Sequence, residues 1–204
     1  MEISIFRKQL VCIHLVLLFC VALAPNQGYS QDFIEYGTIE QIVSQNVPSL
    51  KIFYHKIGNL NRDSLPDLVA IYDYNRENAN SDTESLDNPL DRTMLLYVGL
   101  PDGKLQLAKR NDRAVLCSNC GGQLGDPFDG ITIKNGFFTL EFSGGTAFRW
   151  SRFVTFKYSK EERNWFLHRD GGETFTIHNP DIVNHYMETT ADFGVISLDM
   201  FMID

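Results

Sequence analysis

From Ser49 onward the chain reads as short apolar runs punctuated by turns. "SLKIFYHKI" and "DLVAIYDY" are rich in β-branched and aromatic residues and predict two strands. "RTMLLYVGLPDGKLQLA" predicts a hairpin turning at Pro101-Asp102-Gly103: proline pre-sets one backbone angle and glycine takes the positive one. "ITIKNGFFTLEF" predicts a second hairpin at Asn135-Gly136, a dipeptide suited to a two-residue turn. Its second arm places Phe138, Leu140 and Phe142 on one face, with Thr139 and Glu141 on the other. In "TAFRWSRFVTFKYS", Phe148, Trp150, Val154, Phe156 and Tyr158 share one parity, and Arg149, Ser151, Thr155, Lys157 and Ser159 the other. Arg152 and Phe153 break that alternation, which predicts a bulge or an end-of-sheet position there. "NWFLHRDGGETFTIH" reads as a hairpin-like pair around Asp170-Gly171-Gly172, and "VISLDMFMID" as a candidate last strand.

Helical spacing occurs at Phe33, Ile34, Ile39, Ile42 and Val43, within Gln31 to Asn46. Residues 75–91 are polar and acidic, too long for a hairpin connection, and read as a surface loop or a ligand-contacting lid. The pattern therefore predicts a mainly β fold: an antiparallel sheet or sandwich with one short N-terminal helix. No internal repeat supports a full propeller.

The first thirty residues stand apart. Arg7 and Lys8 precede "LVCIHLVLLFCVALA", an apolar run of the length of a secretory h-region and short of the ~20 residues that span a bilayer. Small residues at Gly28 and Ser30 predict cleavage after Ser30, with Gln31 to Asp204 as a single exported domain. Phe19 before Cys20 argues against a lipid anchor, so Cys12 and Cys20 leave with the leader. The expected location is secreted or periplasmic, with no stable membrane insertion after cleavage. The full chain carries a net charge of −8, and losing the leader makes it slightly more acidic. With no basic run, nucleic acid is a poor partner. A protein or glycan ligand is the better expectation.

In that oxidising setting Cys117 and Cys120, in "LCSNCGG", are expected to be bridged. A redox C-x-x-C wants a helix start behind it, whereas "GGQLGDP" is turn chemistry. Zinc would need two more ligands, and His55, His168, His178 and His185 are scattered.

"GNLNRDSLPDLV" carries the sharpest chemistry. Asn59, Asn61 and Asp63 offer side-chain oxygens, Leu65 a carbonyl, and Asp67 a closing carboxylate, in the alternation a calcium loop uses. The stretch resembles the D-x-[DN]-x-[DN]-G-x-x-D loop of FG-GAP and VCBS repeats, which leads into a strand. The resemblance implies a weak structural calcium. Asn59 replaces the usual aspartate, Ser64 the usual glycine, and Ala70 stands where an EF-hand has its closing glutamate. The competing reading is a metal-free turn held by Asx hydrogen bonds.

A broader likeness covers Asn111 to Ser159. "CGGQLGDPF", "GGTAFRW" and "FKYS" resemble a group of uncharacterised exported bacterial proteins, which implies a secreted or periplasmic β-rich domain and no particular activity. Within it, Asp126, Asp129, Arg149 and Trp150 are the candidate ligand-binding residues, since Arg with aromatic neighbours holds carboxylates, sugars or peptide ends. The bland alternative makes Gly-Asp-Pro a turn and Trp150 core. No nucleophile elbow, zincin motif or P-loop is present. The expected function is a non-catalytic binding or envelope-associated module. The rivals are a sugar or peptidoglycan hydrolase using Asp126 with Glu141, and an inhibitor of a partner enzyme.

Overall fold

A computed structural model of the chain describes Gln41 and residues 50–74 and 92–204. The leader, the expected helix at 31–46 (except Gln41, which is helical) and the acidic segment 75–91 lie outside the described residues.

Nine strands among the described residues form two antiparallel meanders, each in chain order. The first sheet is β1 (Leu50–Gly58), β2 (Asp67–Tyr74), β3 (Arg92–Gly99) and β4 (Leu105–Val115). The second is β5 (Phe128–Lys134), β6 (Phe137–Gly145), β7 (Phe148–Ser159), β8 (Asn164–Thr176) and β9 (Asn179–Thr189). A 3-10 turn, Gly122–Leu124, precedes β5, and a one-turn helix α1, Thr190–Phe193, follows β9. The expected mainly β, antiparallel architecture is what the chain adopts.

Period-two burial explains how the sheets face each other. Val69 and Ile71 on β2, and Met94 and Leu96 on β3, meet Phe138, Leu140 and Phe142 on β6 and Val154 and Phe156 on β7 in one core. Phe138 and Phe156, direct partners across β6 and β7, stack at 5.0 Å. The opposite parity of β2 and β3 is apolar too: Leu68, Ala70, Tyr72, Leu95 and Tyr97 are fully buried, packed with Ile52, Ile57 and Leu105. These two strands therefore read as near-continuous hydrophobic runs.

Both hairpin turns form as expected. Gly103 adopts φ 81° and the Leu100 amide donates to the Lys104 carbonyl. Asn135 and Gly136 both take positive φ, 54° and 76°, the pair a type I′ turn requires.

Three strand-level expectations are corrected. β7 keeps its register with β6 through Arg152 and Phe153, without a bulge. Arg152 turns inward because Asp170 neutralises it, and Phe153 turns outward beside Gly171. The irregularity lies further along, between Thr155 and Phe156. Next, β8 runs straight through Asp170-Gly171-Gly172, and the hairpin turns after Thr176 instead. Those glycines leave room for cross-strand neighbours: a Cβ at Gly171 would strike the Met187 side chain, and one at Gly172 the Ser151 carbonyl. Finally, "VISLDMFMID" is a tail with a single bridge, Phe166 to Ser197. It is pinned by buried Asn111, whose side-chain amide donates to the Leu198 and Phe201 carbonyls, and by the insertion of Leu198 and Phe201 into the core.

The two sheets also adjoin along one side, where β1 meets β5. A Cβ at Gly58 would sit 2.6 Å from the Ile133 side chain, and Tyr54 packs edge-on against Phe128 at 5.2 Å. At the end of this seam lie the loop 59–66 and the Asn135-Gly136 turn.

Candidate functional site

The loop after β1 is a bracket built from its own side chains. Asp67, fully buried, accepts from the Leu60 amide at 2.6 Å, the Asn61 amide at 3.2 Å and, from β3, the Gly99 amide at 2.9 Å. Asn59 accepts from the Arg62 amide, Asn61 from the Asp63 amide, and Asp63 from the Leu65 amide and the Asn61 side chain. Each side chain proposed as a calcium ligand thus accepts hydrogen bonds from within the loop, and Asp67 also from β3. These are the Asx bonds of the metal-free reading. Among the described residues no group of three or more His, Cys, Asp or Glu could hold a metal ion. Burial outweighs the three amide donors and pushes the Asp67 carboxyl up to about 6. Arg62 and Ser64 take φ 64° and 75°, so Ser64 occupies the glycine position of the loop in a glycine-like conformation.

The loop is then strapped to the second sheet. The Arg62 Nε donates to the Asn135 carbonyl at 2.9 Å, and the Trp165 indole N–H to the Leu60 carbonyl at 3.1 Å. Between loop and hairpin turn opens a groove of about 900 Å³, lined by Lys56, Ile57, Gly58, Asn59, Arg62, Ser64 and the segment 133–137. Phe137 is part of that lining. Arg62 lies over that ring at 5.5 Å and Lys157 at 5.8 Å, and the His168 ring is 5.2 Å away. Burial, then the charges of Arg169 and Lys157, pushes the His168 imidazole below its ordinary value. Among the described residues, none of Lys56, Arg62, Lys134, Lys157 and Arg169 forms an ion pair. Among the described residues, an acidic protein thus gathers Lys56, Arg62 and Lys134 in one groove, with Lys157 beside its Phe137 ring, and none of them in an ion pair.

The residues singled out in the glycine-rich segment do not converge. Asp126 is a clamp: it takes both terminal nitrogens of buried Arg92, at 2.8 Å and 2.5 Å. Arg92 stands on β3 and Asp126 just ahead of β5, so the pair ties one sheet to the other. Asp73 adds a second carboxylate 3.6 Å from Arg92, and Phe53 lies 4.0 Å beneath the guanidinium. Asp129 is exposed. Arg149 shares the outward parity of β7, while Trp150 points inward and packs against the core. Glu141 takes the outward parity of β6, so Asp126 and Glu141 are not brought together as a carboxylate pair.

Cys117 and Cys120 form a disulfide with Cα atoms 5.2 Å apart. Nearby, Trp150, Arg152, Tyr186 and Asp204 line a smaller cavity of about 430 Å³. Arg152 is already held there by Asp170 at 2.7 Å and by Asp204 at 3.1 Å, so its charge is spent internally.

Sequence reasoning missed the groove because its lining comes from five places: β1, the following loop, the end of β5, the 135–136 turn and the start of β6. One signal was available. Lys134 and Lys157 interrupt apolar strands on the parity opposite the core. Comparison with family models, with curated proteins and with solved structures finds no match to this chain.

Proposed function

We propose that this chain is an exported, non-catalytic binding module, secreted or periplasmic, whose binding face is the groove between the loop 59–66 and the Asn135-Gly136 turn. One observation carries the reading. The groove combines an open, polar lining with cations that form no ion pair among the described residues, on a frame held rigid by the loop bracket, the Arg62 strap and the Trp165 bond. Charged groups already paired contribute little to a ligand; unpaired ones remain available to it.

The disulfide suits an oxidising compartment, in line with the leader expected at residues 1–30. For the loop itself we propose a metal-free bracket: a cation would have to displace the amide donors on Asp67, Asp63, Asn61 and Asn59. The hydrolase reading loses support because Asp126 is engaged by Arg92 and Glu141 faces away from it.

The test is an affinity panel with the mature chain, Gln31 to Asp204. Peptidoglycan fragments, neutral glucans, acidic polysaccharides and peptides are compared on wild type and Arg62→Ala. Binding to one class, lost in Arg62→Ala without a matching loss of fold, is the expected result. Binding that Arg62→Ala leaves intact would place the site elsewhere.

A further inference from the structure

Resting on that reading of the groove, we infer that its ligand is an anionic polysaccharide, held by carboxylates on an extended, hydrated chain. Lys134 pairs with Phe137, Phe137 with Lys157, and Lys157 with Phe166, across β5, β6, β7 and β8. Directly paired residues share a face, so lysine and phenylalanine alternate along a row perpendicular to the strands. The row's two lysines are two strand spacings apart, about 9.6 Å. That is close to the length of two sugar rings end to end, so in an extended chain with a carboxylate on each ring and alternate rings facing opposite sides, every second carboxylate meets a lysine.

Nucleic-acid sites on sheets offer exposed rings on which bases stack. Phe137 is half-buried and collared by Arg62, Lys157 and His168, so it holds cations in place and offers no free platform. What remains accessible is charge, plus the polar groups of Asn59, Ser64 and Asn135 that line the groove. Cations for carboxylates and amide or hydroxyl groups for ring hydroxyls are the complement of an acidic sugar chain. The groove is open, which suits a polymer running through it. The net charge of −8 makes this local excess of positive charge selective in position, because the rest of the surface repels a polyanion.

The experiment measures binding of three probes by the mature chain at about 50 and 200 mM salt. They are an oligogalacturonate, the same oligomer with its carboxyls reduced to alcohols, and oligo(dT) of matched charge. The variants are Lys134→Ala/Lys157→Ala and, as control, Lys160→Ala in the exposed β7–β8 turn. The inference expects oligogalacturonate binding that weakens with salt and falls about ten-fold or more in the double variant, with the control unchanged. Thermal unfolding should be the same for all three proteins, since both lysines are exposed.

Equal binding of the neutral oligomer, still lost in Arg62→Ala, would overturn the anionic class and leave the groove as the binding face. Tighter binding of oligo(dT) would overturn the polysaccharide in favour of a nucleic acid. Absence of oligogalacturonate binding, or its indifference to the double variant, would overturn the inference outright. Failure of every probe in both this experiment and the panel would overturn the groove as well.

Discussion

Asp126→Asn separates a structural carboxylate from a ligand-binding one. Arg92 is fully buried, and the two hydrogen bonds it donates to Asp126 are its closest charged contacts. Removing one partner of a buried pair costs roughly 3–5 kcal/mol because the other charge is stranded. Two features reduce that here. The Asp126 side chain is 35 % exposed, so water already screens part of the interaction, and Asp73 remains 3.6 Å from the guanidinium. Asparagine can also keep the acceptor that Oδ1 offers the Phe128 amide. The expected loss is about 2 kcal/mol, which for a domain of this size lowers the midpoint of thermal unfolding by about 4–8 °C. Urea unfolding of wild type, Asp126→Asn, Arg92→Met and the double variant provides the cycle. Coupling of at least about 1 kcal/mol, with an unchanged dependence on denaturant, is expected. Coupling near zero, with Asp126→Asn as stable as wild type, would refute the clamp and return Asp126 to the list of ligand contacts.

Four further outcomes follow from the loop and the disulfide. Ser64→Gly relieves a left-handed backbone at φ 75° and should stabilise by about 0.5–1 kcal/mol in urea unfolding. Asp67 titrates at about 6 when folded against about 3.9 when unfolded, so the folded state holds the proton more tightly. Its contribution is full at low pH and lost as pH rises through 6, a change of about 1 kcal/mol between pH 5 and pH 7. His168 works with the opposite sign, so the check is the carboxyl carbon shift of Asp67 itself, where a midpoint below 4 would contradict the burial argument. Replacing both Cys117 and Cys120 by serine opens a very short loop and should cost about 2 kcal/mol, with the groove's binding intact. Thermal unfolding in calcium and in chelator should coincide for the mature chain; a calcium-dependent rise lost in Asp63→Ala/Asp67→Ala would restore the metal loop.

Much of the architecture was legible because period-two burial is a local signal. β2 matches "DLVAIYDY" residue for residue, and the Asn135-Gly136 turn needs only its own backbone angles. The misreadings arose where a distant partner decides. Arg152 looked like a break in β7 until Asp170 supplied its counter-charge from the next strand. Gly171 and Gly172 looked like a turn, yet they are strand positions emptied for Met187 and neighbouring backbone. Asp126 looked like a site residue because its partner, Arg92, lies 34 positions earlier on the other sheet. The groove is the extreme case: Arg62 reaches Asn135 across 73 positions, and no local pattern announces that contact.

The most direct test of the binding face is a map of backbone amide shifts as the bound polymer is added to the mature chain. The account predicts changes concentrated at Lys56–Ser64, Ile133–Phe137 and Lys157, with the Asp126–Arg92 clamp and the Trp150 cavity silent. Shifts centred on Cys120, Trp150 and Tyr186, with the groove unmoved, would contradict it.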